Sequence, residues 1–216
     1  MHDKDSQMKN ILSSISTVII ANGRFPTHPL PLSCIESATY IVCSDGAANE
    51  FIEKGGKPDA IVGDCDSISN ENRDLYSDII HPNSDQETND LTKSVQFCIE
   101  RGKKDIVIVG GTGKREDHTL GNISLLADYI SDVNIIMVTN WGIFTPINST
   151  TKFNSYKGEK VSIFSIDKVQ LTTENLKYPL MNRALNNWWE GSLNESLSDS
   201  FKIHTTGRTI IYQAYK

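Results

Sequence analysis

From residue 17 to about residue 140 the chain alternates short apolar runs with stretches whose apolar residues recur at helical spacing, and this rhythm restricts what it can fold into. The runs Thr17–Ala21, Tyr40–Cys43, Ala60–Val62, Asp78–Ile80, Asp105–Val109 and Asn134–Thr139 have the length and composition of strands. Between them Leu91, Val95, Cys98 and Ile99 share one face of a 3.6-residue period, as do Ile123, Leu126, Ala127 and Ile130. Strands alternating with helices predict an α/β fold: a mostly parallel sheet with helices on both faces. Sheets of this kind bind ligands outside the carboxyl ends of their strands.

After Trp141 helical periodicity fades, and Ser, Thr and Asn separate the short runs Val161–Ile166, Lys168–Leu171, Phe201–His204 and Thr209–Tyr212. That texture predicts a small all-β unit, a sandwich or half-barrel, of about 70 residues. The chain therefore divides into a flexible N-terminus (1–16), an α/β domain (17–146) and a β-sandwich domain (147–216), with the boundary near Pro146–Thr151. A unit as small as the last gains from a partner surface. The apolar run ending at Val18-Ile19-Ile20 is too short for a signal segment or a membrane span. The four cysteines, Cys34, Cys43, Cys65 and Cys98, form no metal-binding spacing and read as reduced, buried thiols, so a cytoplasmic location is expected. A net charge of −6 without a basic stripe argues against a nucleic-acid partner. An acidic chain can still hold a polyanion such as ATP when a divalent cation sits between carboxylates and phosphates.

The positions of the acidic residues carry the chemistry. Asp45 follows the second run, Asp64 and Asp66 follow the third in Gly63-Asp64-Cys65-Asp66-Ser67, Asp85 and Asp90 follow the fourth, and Asp117 follows the fifth. Four strand ends thus present carboxylates to one edge of the sheet. Such a cluster repels itself unless cations neutralise it, and hard oxygen ligands select Mg²⁺ or Ca²⁺. Taken singly, each Asp also fits a turn or a helix cap, and Asp85 fits the cap of the helix beginning near Asp90. The stretch Gly110-Gly111-Thr112-Gly113-Lys114-Arg115 offers backbone N–H groups to an anion near a helix start, although Ile108 and Glu116 exclude a Walker A loop and a dinucleotide fingerprint. Arg115 can grip phosphate bidentately or remain a solvated charge; Lys93 can reach a phosphate or stay exposed; His118 suits catalysis or helix capping equally.

In order along the chain, Asp45-Gly46-Ala47, Pro58-Asp59 with Gly63-Asp64-x-Asp66-Ser67, Asp85-Gln86 with Asp90-Leu91-x-Lys93, and Gly110-x-x-x-Lys114-Arg115-x-Asp117-His118-x-x-x-Asn122 resemble the thiamine pyrophosphokinase family. Leu176-Lys177-Tyr178-Pro179-Leu180 and Gly191-x-x-Asn194-Glu195 are similar to that family's β-domain. The resemblance covers residues 17–216. It implies a homodimer with sites at the subunit interface and Mg²⁺-dependent conversion of ATP and thiamine to AMP and thiamine diphosphate. Carried over position by position, it makes Asp45, Asp64, Asp66, Asp90 and Asp117 catalytic, with Asp64, Asp66 and Asp90 holding Mg²⁺. ATP would be bound by Ser67, Asp85, Lys93, Thr112, Gly113, Lys114, Arg115, His118 and Asn122, and thiamine by Tyr178 and Asn194. The chain departs from the family pattern at Glu87, Asn89, Asn175 and Leu193, the last removing a hydroxyl near the expected thiamine site. Rival readings are a Mg-dependent nucleotide hydrolase, a diphosphokinase for another alcohol, and an inactive thiamine- or nucleotide-binding sensor.

Overall fold

A computed structural model describes residues 16–215. The expected flexible segment 1–16 lies, apart from Ser16, outside the described residues. Strands β1 (Thr17–Ile20), β2 (Tyr40–Ser44), β3 (Ala60–Gly63), β4 (Ile80–Pro82), β5 (Asp105–Val109) and β6 (Asn134–Val138) are all parallel, in the order β6-β5-β1-β2-β3-β4. Helices α1 (Pro29–Ser37), α2 (Ala47–Glu53), α3 (Asn70–Leu75), α4 (Asp90–Glu100) and α5 (Glu116–Tyr129) lie between them in sequence.

Alternation along each strand sends successive side chains to opposite faces, so a sheet buried on both sides needs apolar residues at nearly every position. Ile19, Val42 and Val62 pack on one face with Leu91, Val95 and Cys98 of α4 and with Leu126 and Ala127 of α5. Val18, Ile20, Cys43 and Ile61 pack on the other with Leu30 and Cys34 of α1 and with Ala47, Ala48 and Phe51 of α2. All four cysteines are free and buried.

The sheet does not stop at β6. Strand β7 (Gly142–Ile147) turns back antiparallel to β6, and β14 (Thr209–Ala214), β9 (Lys160–Ser165) and β12 (Asn194–Glu195) extend the sheet to ten strands. A second sheet of four strands, in the order β11 (Arg183–Ala184), β10 (Gln170–Glu174), β13 (Ser200–His204) and β8 (Thr151–Asn154), covers this antiparallel half. Phe153, Ile163, Leu171, Phe201, Ile203 and Ile211 fill the space between the layers. The expected α/β sheet and β-sandwich are both present, and one layer of the sandwich is the continuation of the α/β sheet itself.

Two expected strands move. Residues 77–79 form a 3₁₀ turn and the fourth strand is Ile80–Pro82, which among the described residues is an edge strand paired only to β3, where a proline without an N–H is tolerated. Lys168 adopts φ 52° in a turn, so the strand expected at 168–171 runs instead over Gln170–Glu174. The cap of α4 is Asn89, whose Oδ1 accepts from the Thr92 N–H at 2.9 Å. Asp85 closes its own turn, accepting from the Glu87 N–H and the Thr88 hydroxyl.

Candidate active site

Strand β1 lies between β5 and β2, so the crossovers that leave these neighbours diverge, and a crevice opens at the carboxyl ends of the strands. A cleft of about 460 Å³ occupies that position, bounded by the turns after β1, β2, β3 and β5 and by the first turns of α4 and α5.

Its acidic wall comes from two turns. Asp45 follows β2 with φ 44°, its N–H donating to the Val62 carbonyl at 2.8 Å, and Cys65 adopts φ 65° between Asp64 and Asp66. The Arg73 guanidinium donates to the Cys65 carbonyl, and the Ser67 hydroxyl donates to Asp66 Oδ1 at 2.8 Å. Together these turns bring carboxylate oxygens of Asp45, Asp64 and Asp66 within 4.8 Å of one another. Asp45 is only 2% exposed, and its Oδ1 has no hydrogen-bond partner among the described residues. Burial, reinforced by the charges of Asp90 and Asp64, raises its carboxyl above the ordinary range. A buried, unpartnered carboxylate oxygen beside two more carboxylates is a donor set suited to a hard divalent cation, which supplies the missing partner and cancels the repulsion.

Asp90, expected as the third metal ligand, lines the same cleft but is not one of these three. Its Oδ1 receives the Lys93 ammonium at 3.2 Å, and Lys93 is 3% exposed, so its charge is delivered from within the protein rather than from a solvated surface. Serine hydroxyls at 44 and 94, 2.8 Å apart, tie β2 to the same helix.

Across the cleft runs the glycine-rich turn after β5. Gly110 and Gly113 take φ 67° and 89°, which L side chains rarely adopt. Asn122 of α5 donates to the Gly111 carbonyl at 2.9 Å and accepts from Asn89 at 3.3 Å, joining this turn to the cap of α4. Thr112, Lys114, Arg115 and His118 line the cleft, as does Ser67 on the opposite side. Gly113 shapes the turn, and Asp85 and Asp117 are outside the lining: Asp85 in its turn and Asp117 paired with Arg115 at 2.5 Å.

Sequence reasoning missed Asn22 and Gly23. The Gly23 N–H donates to the Gly110 carbonyl at 2.7 Å, the Arg24 N–H donates to the Thr112 carbonyl at 2.8 Å, and Lys114 donates to Asn22 Oδ1 at 3.1 Å. A Cβ on Gly23 would lie 2.3 Å from the Gly110 oxygen, so only glycine allows this approach. The available signal was an Asn-Gly pair just after a strand that lies inside the parallel half of the sheet.

The two residues expected to hold the second substrate lie on the sandwich, and neither lines the cleft. Tyr178 is 60% exposed. Asn194 is buried, and its amide is committed to the backbone of Tyr178: Oδ1 accepts from the Tyr178 N–H at 3.0 Å and Nδ2 donates to the Tyr178 carbonyl at 2.8 Å. Leu193, at φ 60°, is fully presented to solvent together with Met181 and Trp189.

Fold and site together define an α/β protein with a carboxylate-and-lysine cleft at its switch point, fused edge to edge with a β-sandwich. The model described as thiamin pyrophosphokinase, catalytic domain, matches residues 32–138, and that described as thiamin pyrophosphokinase, substrate-binding domain, matches residues 142–212. The chain belongs to the thiamin pyrophosphokinase family. It is 31% identical over 153 residues to thiamine pyrophosphokinase 1 of Oryza sativa subsp. japonica, covering 59% of this chain and 57% of that one. It is 34% identical over 110 residues to thiamin pyrophosphokinase 1 of Caenorhabditis elegans, covering 47% and 45%. The matched stretches thus span about half the length of these relatives. The thiamin pyrophosphokinase from Candida albicans shares the fold, with a TM-score of 0.81 at 19% identity over 96% of this chain and 91% of that one.

Proposed function

We propose that this protein transfers the pyrophosphoryl group of Mg-ATP to the hydroxyl of thiamine, yielding thiamine diphosphate and AMP. The observation that carries the reading is the convergence of carboxylate oxygens of the buried Asp45 and of Asp64 and Asp66 in a cleft also lined by the glycine-rich turn, in a chain matched by both domain models of the family.

The thiamine oxygen attacks the β-phosphorus and gives up its proton to solvent, the bond from that phosphorus to the oxygen bridging it to the α-phosphorus breaks, and AMP leaves with that oxygen. Chemistry of this kind asks the protein for alignment and charge neutralisation rather than covalent help. Asp45, Asp64 and Asp66 would hold Mg²⁺, which when bound neutralises phosphate charge and lets the acidic wall face a polyanion. Lys93, fixed by Asp90, directs a buried positive charge at the phosphates, while Lys114, Arg115 and the backbone N–H groups of the 110–114 turn take their outer oxygens. Asn122 and Asn22 keep that turn in register.

Tyr178 is read as the aromatic face for the flat, cationic thiamine. Because it stands on the sandwich and not in the cleft of its own chain, the reading requires a homodimer in which one subunit's Tyr178 meets its partner's phosphate site. The exposed apolar side chains of Met181, Trp189 and Leu193 on the same sandwich half suit such a contact. No helix among the described residues is long and apolar enough to cross a membrane, and the reduced thiols fit the cytoplasm. The testing experiment is incubation with ATP, Mg²⁺ and thiamine while AMP is followed. AMP that appears only with thiamine supports the proposal. Thiamine-independent nucleotide cleavage supports a hydrolase, and binding of both substrates without turnover supports a sensor.

A further inference from the structure

We propose that Asp117 is a positioning residue which grips one edge of the Arg115 guanidinium and so presents the opposite edge to a phosphate of the nucleotide; this rests on the ATP-binding reading above. Arg115 is the residue that caps the start of α5, and Asp117 stands two positions later in the first turn. The contact is a two-point fork: Nε donates to Oδ1 at 3.1 Å and Nη2 donates to Oδ2 at 2.5 Å. The carboxylate is itself fixed, since Oδ1 also accepts from the His118 N–H at 2.9 Å.

A guanidinium carries five N–H donors in one plane. Asp117 takes one from Nε and one from Nη2, which leaves both donors of Nη1 and the second of Nη2 on the far edge. No other hydrogen-bond partner of the Arg115 guanidinium is found among the described residues. Arg115 lines the cleft and Asp117 does not, and in this proposal the free edge is the one that meets the anion. The geometry suits a relay of charge in which carboxylate, guanidinium and phosphate lie in one plane.

This differs from a direct catalytic role. Asp117 is absent from the group of three carboxylates that converge for a cation. Its fork with Arg115 holds its carboxyl down near 2, so it stays ionised at neutral pH and is a poor acceptor for the thiamine hydroxyl proton. What it supplies is order. An arginine 71% exposed would otherwise lose rotamer freedom on meeting phosphate, and a prior fork lowers that loss.

The test is a double-mutant cycle of Asp117→Asn and Arg115→Ala, read by Mg-ATP binding in calorimetry and by steady-state kinetics at saturating thiamine. Both side chains are exposed, and unchanged thermal melting verifies that the variants fold. Asp117→Asn should raise the dissociation constant and KM for ATP about two- to fivefold, the scale of an exposed ion pair, with kcat and the thiamine KM nearly unchanged. In the Arg115→Ala background the same change should have no further effect. Additive losses, a fall in kcat by orders of magnitude at saturating ATP, or tighter ATP binding in Asp117→Asn would overturn the positioning role. If the wild type binds Mg-ATP but makes no AMP, the proposed activity fails while the binding cycle still decides this inference.

Discussion

A Cβ on Gly63 would lie 2.7 Å from Asp45 Cβ and 3.2 Å from Asp90 Oδ1, so the turns after β2 and β3 interlock through Gly63 and Asp45. The nearest atom is the Cβ of Asp45, fixed to its backbone, which cannot swing aside. Gly63→Ala should therefore displace the buried carboxylate, destabilise the fold by about 1–3 kcal/mol as overpacking does, and shift the Mg²⁺ activation of turnover to higher concentration. Thermal melting with a Mg²⁺ titration of activity checks this. Unchanged melting and an unchanged Mg²⁺ curve would mean that Asp45 is free to move.

Asp64→Asn and Asp66→Asn should each lower turnover by orders of magnitude at limiting Mg²⁺ while leaving the fold intact, because both carboxylates are exposed at the cleft and serve the cation rather than the core. Without metal the variants should melt no earlier than the wild type, since one source of repulsion is removed. Wild-type turnover in both would remove these residues from the cation site.

The α/β half was legible because buried parallel strands must be apolar on both faces and because α4 and α5 repeat their apolar residues at helical spacing. The acidic edge was legible for a related reason: carboxylates immediately after strands share the carboxyl end of the sheet. Asp45 was harder to rank than Asp90, since no linear pattern reveals that Asp45 is buried with a free oxygen while Asp90 is engaged by Lys93. Helix α1 was not anticipated; its Pro29 and Pro31 stand in the first turn, where proline forfeits no helical hydrogen bond. The continuity of β6 through β7 into the sandwich depends on pairing between residues far apart in sequence, such as Ile211 with Thr145, which periodicity does not encode.

Asn194 holds the chain at Tyr178 through both ends of its amide. Asn194→Ala leaves two backbone N–H groups, of Tyr178 and Glu195, and the Tyr178 carbonyl to find new partners, at a cost of about 1–3 kcal/mol where the site stays dry. The expected result is a thiamine KM raised several-fold with the ATP KM unchanged, the direction also expected of Tyr178→Ala. A kinetic profile identical to wild type would show that the Tyr178 loop keeps its form without the clamp.

Hybrid dimers separate the two halves of the proposed shared site. Tyr178→Ala mixed with an Asp64→Asn, Asp66→Asn double variant should recover part of the activity that each lacks, because one interface site per hybrid then has an intact acidic wall and an intact Tyr178. No recovery after verified subunit exchange, or a monomeric wild type, contradicts the shared site.

The central claim is transfer of two phosphoryl groups as one unit onto thiamine at the Asp45, Asp64 and Asp66 cleft. It is tested most directly with ATP labelled at the γ-phosphate, in the presence of Mg²⁺ and thiamine, by resolving all products. The account predicts label in thiamine diphosphate, formed one for one with unlabelled AMP and lost when Mg²⁺ is chelated. Label in thiamine monophosphate with ADP, or in free pyrophosphate or phosphate irrespective of thiamine, would contradict it.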